Sequence, residues 1–464
     1  MIMMHLLASV MSVLPALRVA IVGATVVHPA RTGAAAVEPD VTVILSGDRI
    51  ETVGPTATTR VPAGAEVIPA RGKWLIPGLI DTHVHFFQSG NLYTRPDVAD
   101  FNAVVPYLEE VARNKARLPA TFKVWLASGV TSVIDDGGPL WNFEVRAQAR
   151  TARAAPRVAV AGPLISLIAD AALALDDPPI IKVQSVEEAR ALAQRELGHK
   201  PDFLKVWFIH LPGTDLAAQE RIAAAVADAA HAAKIRLLVH ATELETAKAA
   251  LRAGADVLVH SVSDAPVDAE FLALAKKRAV IYVPTLFVMQ GYALALSGSW
   301  RATPAEKRLG DPKILAAMGD LARLPEDERK RVQTRGAVID LRVRTQAPIA
   351  LANLKKVRDA GIRVALGTDA GNIGTLHGPS VFREMALMAQ AGLTPREVLL
   401  SATVEGAALL DPGRDLGDVA PGKRADLVLL DADPLEDVAN LARIHRVIRA
   451  GRVFDPDALV DSIR

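Results

Sequence analysis

Eight short, β-rich apolar runs separated by Ala-rich stretches of helical period fill the middle of this 464-residue chain. No other feature constrains its fold as much. The runs are LIPGLIDTHVHF (75–86), VTSVID (130–135), RVAVAG (157–162), FLKVWFI (203–209), RLLVHAT (236–242), DVLVHS (256–261), AVIYVPT (279–285) and RVALGTDA (363–370). Strands written as near-continuous apolar text and alternating with helices belong to parallel sheets covered on both faces. Eight such units are what a (β/α)₈ barrel requires, and a span of roughly 330 residues suits that fold with insertions. Helix stops agree with the pattern, with Gly254 closing AALRA and Gly361 closing KKVRDA.

The two ends of the chain read differently. RVAIVGATVVHP and VTVILSGDRIETVGP near the start, and ADLVLLDAD and RVIRAGRVFDP near the end, alternate apolar and polar residues between Gly, Asp and Pro turns. The expected fold is therefore α/β: a (β/α)₈ TIM barrel over residues 75–410, with a small β-sandwich built from residues 18–74 and 411–464. Residues 286–360, between the seventh and eighth runs, are too long for one crossover helix; they read as a helical lid or as a surface or oligomer-forming insertion. Residues 1–17 are apolar, lack Lys and Arg and are interrupted by Pro15, so they read as an N-terminal extension or a degenerate signal segment. A cytoplasmic location is favoured, with export expected if that segment is a signal.

Composition narrows the chemistry. Lys plus Arg total 53 against 52 acidic residues, so no global field draws the chain to nucleic acid or an anionic membrane, and its expected partner is a small-molecule substrate, one able to carry a carboxylate. Association into a homo-oligomer is also expected. Cysteine is absent, which excludes disulfides, thiolate metal sites and cysteine nucleophiles, so any metal must be held by histidine and carboxylate.

Few histidines are available, and four of the eleven lie at the ends of the apolar runs. His83 and His85 are two apart, so on a strand both rings point to one side. His240 closes the fifth run, His260 the sixth, and Asp369 the eighth. In a barrel these positions share the C-terminal mouth, where chemistry is placed. Together they describe a nitrogen and oxygen metal site. Lys205 lies inside the fourth run between apolar neighbours. A buried amine loses its proton more readily, and the free amine can add carbon dioxide to become an anion able to bridge two cations. The other reading is a lysine that reaches the rim or pairs with a carboxylate.

IPGLIDTHVHF, Lys205, His240, His260, GTDAG and the closing GDVAPGKRADLVLLDADPL together resemble the metal-dependent amidohydrolase superfamily, from about residue 18 onward. Within it the chain looks most like the carboxylated-lysine, two-metal branch that includes prolidase-like dipeptidases, with imidazolonepropionase-like proteins as neighbours. The resemblance implies that His83, His85, Lys205 and Asp369 hold a more buried ion, and Lys205, His240 and His260 a more exposed one. Two divalent ions are expected, zinc first by ligand type. The implied reaction is hydrolysis of the amide bond of a dipeptide or N-acyl amino acid by a hydroxide between the ions, Asp369 passing its proton to the leaving amine. His377, Tyr282 and Arg383 are candidate substrate contacts, with a loop-structural role open for His377. Glu243, three residues after His240, supports an alternative: a one-metal deaminase or cyclic-amide hydrolase using Glu243 as proton shuttle. A catalytically inactive scaffold would be expected to lack one of the six ligand positions, and none is missing.

Overall fold

The computed structural model describes residues 18–211, 213–410 and 415–464, and the expectation for residues 1–17 lies outside them. All eight expected runs contain strands: β1 (Leu79–Val84), β2 (Val130–Asp135), β3 (Arg157–Val160), β4 (Phe203–Trp207), β5 (Arg236–His240), β6 (Val257–Val259), β7 (Ile281–Val283) and β8 (Arg363–Val364). β1, β2 and β3 form one parallel sheet. β4 to β8 follow one another in a second, which begins with two short strands that the sequence did not announce, Leu164–Ser166 and Ile180–Lys182. Hydrogen bonds link the two sheets. Asp202 N–H before β4 donates to the Val160 carbonyl of β3 at 2.9 Å, and beyond β8 the Asp369 N–H donates to the His83 carbonyl at 2.8 Å. Thr82 and His85 N–H groups return the contact to Leu366 and Ala370 at 2.9 and 2.8 Å.

Strand alternation divides the apolar residues between two environments. Ile134, Phe203, Leu238, Val259, Val283 and Ala365, drawn from both sheets and from the segment following β8, pack into one cluster. Their strand neighbours Val133, Leu204, Leu237, Leu258, Tyr282 and Val364 face the helices in another. The fold is thus a large parallel-sheet core flanked by helices.

The two ends of the chain meet in a mixed eight-stranded sheet, with Leu427–Leu430 antiparallel to Trp74–Pro77, itself parallel to Arg18–Val27. The part expected as a β-sandwich is one mixed sheet by its hydrogen bonds. It curls: Ile50, on a strand at one edge, and Ile448, on the strand next to the other, lie in the same apolar cluster. The run at 75–86 also divides, because residues 74–77 belong to this terminal sheet and only Leu79–Val84 enters the core.

Residues 286–360 fold largely as helices, chiefly α1 (Val288–Ser297) and α2 (Glu326–Asp359), which pack against each other. Gly336 sets their approach: a Cβ there would lie 2.9 Å from the Leu296 carbonyl carbon and the Ser297 nitrogen. Backbone cannot yield as a flexible side chain can. Gly336→Val is expected to destabilise the protein by about 1–3 kcal/mol, read as a lower denaturant midpoint. Among the described residues, no helix is long and apolar enough to cross a membrane.

Candidate metal centre

The C-terminal ends of the strands open into a cavity of about 460 Å³ whose floor carries His83, His85, Lys205, His240, His260 and Asp369. Strand alternation explains the convergence. Lys205 shares its face of β4 with Phe203, and His240 shares its face of β5 with Leu238, so both side chains continue the inner cluster toward the mouth. The turns that follow hold strained backbone: His260, Thr285 and Asp369 have φ of 73°, 43° and 62°. Left-handed conformations of non-glycine residues concentrate where a site demands them. Gly371, two residues beyond Asp369, has φ 111°, and a Cβ on it would meet the His85 carbonyl oxygen at 2.4 Å.

Three ligand atoms meet closely. His83 Nε2 lies 3.3 Å from His85 Nε2, and Asp369 Oδ1 lies 3.4 Å from the first and 3.1 Å from the second. The buried triad brings its three ligand atoms close enough for one divalent cation to touch all of them. Its supports are equally definite. His85 Nδ1 donates to the Gly137 carbonyl at 2.7 Å, which turns its Nε2 toward the triad. The Asn372 side-chain amide donates to Asp369 Oδ1 at 2.7 Å, and Arg95 Nη1 donates to Asn372 Oδ1 at 2.5 Å.

The other three floor residues lie alongside. His260 Nδ1 is 3.9 Å from Asp369 Oδ2 and hydrogen-bonds Thr285 Oγ1 at 2.7 Å. The His240 and His260 rings are 4.3 Å apart between centroids, and those of His83 and His260 4.8 Å. Lys205 Nζ donates to Asp136 Oδ2 at 3.1 Å, and the same oxygen is 3.4 Å from His83 Nδ1. Burial pushes His83 and His240 well below the ordinary histidine value and His260 down to about 4, so these rings are neutral, as metal ligands must be. Burial also presses on His85, but the hydrogen bond and charge of Asp369 outweigh it and raise that ring. Burial would raise Asp369, yet its neighbours His83 and His85, at 3.4 and 3.1 Å, hold it well below the carboxylate range.

The remaining candidates lie elsewhere. Tyr282 sits between inward-facing Ile281 and Val283, so it points outward, with its hydroxyl accepting the Val262 N–H at 2.9 Å. Arg383 forms a bidentate pair with buried Glu306, both contacts 2.7 Å, which ties its helix to the 286–360 segment. His377 is behind the His85 segment, stacked on Phe86 and donating from Nε2 to the His85 carbonyl at 3.1 Å. None of the three lines the metal cavity. Glu243 occupies the N-cap position of helix Leu244–Ala253 and does not line it either.

Sequence reasoning missed Asp136, Asn372 and Arg95. Asp136 follows β2 at the kind of strand end that singled out the histidines, so the same rule finds it. Asn372 is three residues beyond Asp369. Arg95 lies in an irregular loop and carries no local signal.

Buried imidazoles and a carboxylate, gathered at the ends of parallel strands under a helical wall, define an α/β protein built around a metal site. The amidohydrolase family model matches residues 74–454, and the chain belongs to that family. The chain is 40% identical over 82 residues to an imidazolonepropionase of Geobacillus sp. (strain WCH70), 17% of this chain and 19% of that protein. It thus spans about a fifth of that relative's length. It is 25% identical over 414 residues to an uncharacterised protein of Mycobacterium tuberculosis, covering 86% of this chain and 90% of the other. Among solved structures it resembles a putative prolidase from Bifidobacterium longum (TM-score 0.70, 23% identity, 97% and 99% of the two chains). It also resembles a molinate hydrolase (TM-score 0.71, 22% identity, 96% of each chain).

Proposed function

We propose that this protein is a metal-dependent hydrolase that cleaves the amide bond of a small substrate, a dipeptide or N-acyl amino acid, on a (β/α)₈ barrel. The hydrogen bonds joining β3 to β4 and the segment after β8 to β1, with one inner cluster fed by both sheets, support closure of the barrel. The observation that carries the function is the close convergence of His83, His85 and Asp369 beside Lys205, His240 and His260 in one cavity. On this reading His83, His85 and Asp369 would hold one zinc ion and His240 and His260 a second, with Lys205, once carboxylated, as a ligand to both. Bound zinc would polarise a carbonyl and make water acidic enough to attack near neutral pH. Asp369 would do the proton work. Its Oδ1 is fixed by Asn372, while Oδ2 faces His260 with room to take a proton and return it to the leaving nitrogen. Residues of the 286–360 segment, among them Val288, Met289 and Ile339, line the same cavity.

The likeness to prolidases favours dipeptides, and the local match to imidazolonepropionases favours a one-metal cyclic-amide hydrolysis as the second reading. Metal-stripped protein should be inactive and regain activity with zinc, binding two ions per chain, when screened against dipeptides and N-acyl amino acids. One ion per chain, with activity on a cyclic imidazolone alone, would establish the second reading. The N-terminal 1–17 segment and the oligomeric state are separate proposals: cytoplasmic residence, tested by fractionation, and a homo-oligomer, tested by sedimentation.

A further inference from the structure

The wall opposite the metal floor is one face of α2. Arg335, Ile339, Arg342, Gln346 and Ala350 recur at helical spacing along it and all line the cavity. The charges on the cavity surface are unevenly balanced. Arg95 is held by both oxygens of Asp97 at 2.7 and 2.5 Å, and Lys205 by Asp136 at 3.1 Å. Arg335 has no ion-pair partner among the described residues, and Arg342 spends only its Nε, on Gln346 at 2.9 Å. On the same helix, Arg331, one turn before Arg335 on this stripe, pairs with Glu328, and Arg344 on the far side pairs with Asp340. Asp369 is the one acidic residue lining the cavity, and the triad claims it. Arg335 and Arg342, both solvent-exposed, thus lie on the cavity side of the helix without a carboxylate partner among the described residues. Most of the remaining wall is apolar, including Leu164, Ile180, Trp207 and Met289.

Resting on the hydrolase reading, we propose that Arg342, with Arg335 behind it, determines specificity by holding the carboxylate of an amphipathic substrate whose apolar part lies on that wall. The two arginines are seven residues apart, about 10 Å along the helix, so they serve carboxylates at two depths. Arg342 is the inner one. It lies one turn from Gln346, whose Oε1 is 3.5 Å from Ser263 Oγ, three residues beyond His260. The class of substrate is an N-acyl amino acid with a bulky apolar acyl group. A neutral amide of the same shape would leave both guanidiniums without an anion.

The test compares N-acyl amino acids with their C-terminal carboxamides on zinc-loaded protein. The wild type should favour the acid in kcat/KM by at least about tenfold, a preference that shrinks as salt rises. Arg342→Gln should reduce the acid-to-amide ratio by about 10- to 100-fold, mainly through KM, with unchanged metal content. Arg342→Lys should recover part of the ratio, and Arg344→Gln on the outer face should leave it alone. Equal losses on acid and amide, or a wild-type preference for the amide, would overturn the proposal. If no compound is hydrolysed, the hydrolase reading fails separately, and calorimetric titration with the same N-acyl amino acids decides the arginine's role. Binding that Arg342→Gln abolishes supports it, and binding that is absent or indifferent to the change rejects it.

Discussion

Asp369→Asn is expected to lower kcat/KM by about 10³-fold on whatever amide the protein hydrolyses, within the range for loss of a positioned proton-transfer group. The substitution is nearly isosteric. Its carbonyl oxygen can still accept from Asn372, as Asp369 Oδ1 does at 2.7 Å, so the side chain keeps its place. What it loses is the charge that faces His83 and His85 at 3.4 and 3.1 Å, and the second oxygen that faces His260. Zinc affinity should fall as well, so kinetics belong at saturating zinc, with metal content measured on the same sample. A variant that binds its metal and turns over near normally would remove Asp369 from the proton path. Asn372→Ala, which frees the carboxylate without removing it, should cost less, about tenfold, because effective geometry is relaxed and the base survives.

Much of this centre could be read from the chain because strands repeat every two residues. That period puts His83 and His85 on one side, and the recurrence of polar residues at run ends links them with His240, His260 and Asp369 across more than 280 residues of sequence. The same period argues against Tyr282, since Ile281 and Val283 on either side of it face inward. Arg383 is a different case. Its fate depends on Glu306 in the long insertion, a contact that no local pattern announces. His377 acts through the main chain of a ligand, and a side chain that supports backbone leaves no motif. The division of residues 74–86 between two sheets was hidden because no polar residue marks the break between Pro77 and Leu79, and the strands of Leu164–Ser166 and Ile180–Lys182 are too short to show a period.

Lys205→Ala should have the largest consequence, because two different roles would be lost together. As a cation, Lys205 is paired with Asp136 where neither side chain is more than 1% exposed. Removing one member of a buried pair costs about 3–5 kcal/mol. The lower end is expected here, since burial already pushes Asp136 up to about 6 and lets it take a proton instead. Lys205→Met with Asp136→Asn should regain most of that stability by removing both charges. As a carboxylated ligand, Lys205 has no such substitute. Both variants should hold one zinc per chain against two for wild type, with kcat/KM reduced at least about 10³-fold. Formate or acetate should partly restore Lys205→Ala by placing a carboxylate in the vacated space, and should do nothing for the methionine variant, whose side chain fills it. Recovery of activity in the double variant along with its stability would mean that the lysine serves only as the partner of Asp136, and the two-metal reading would fall with it.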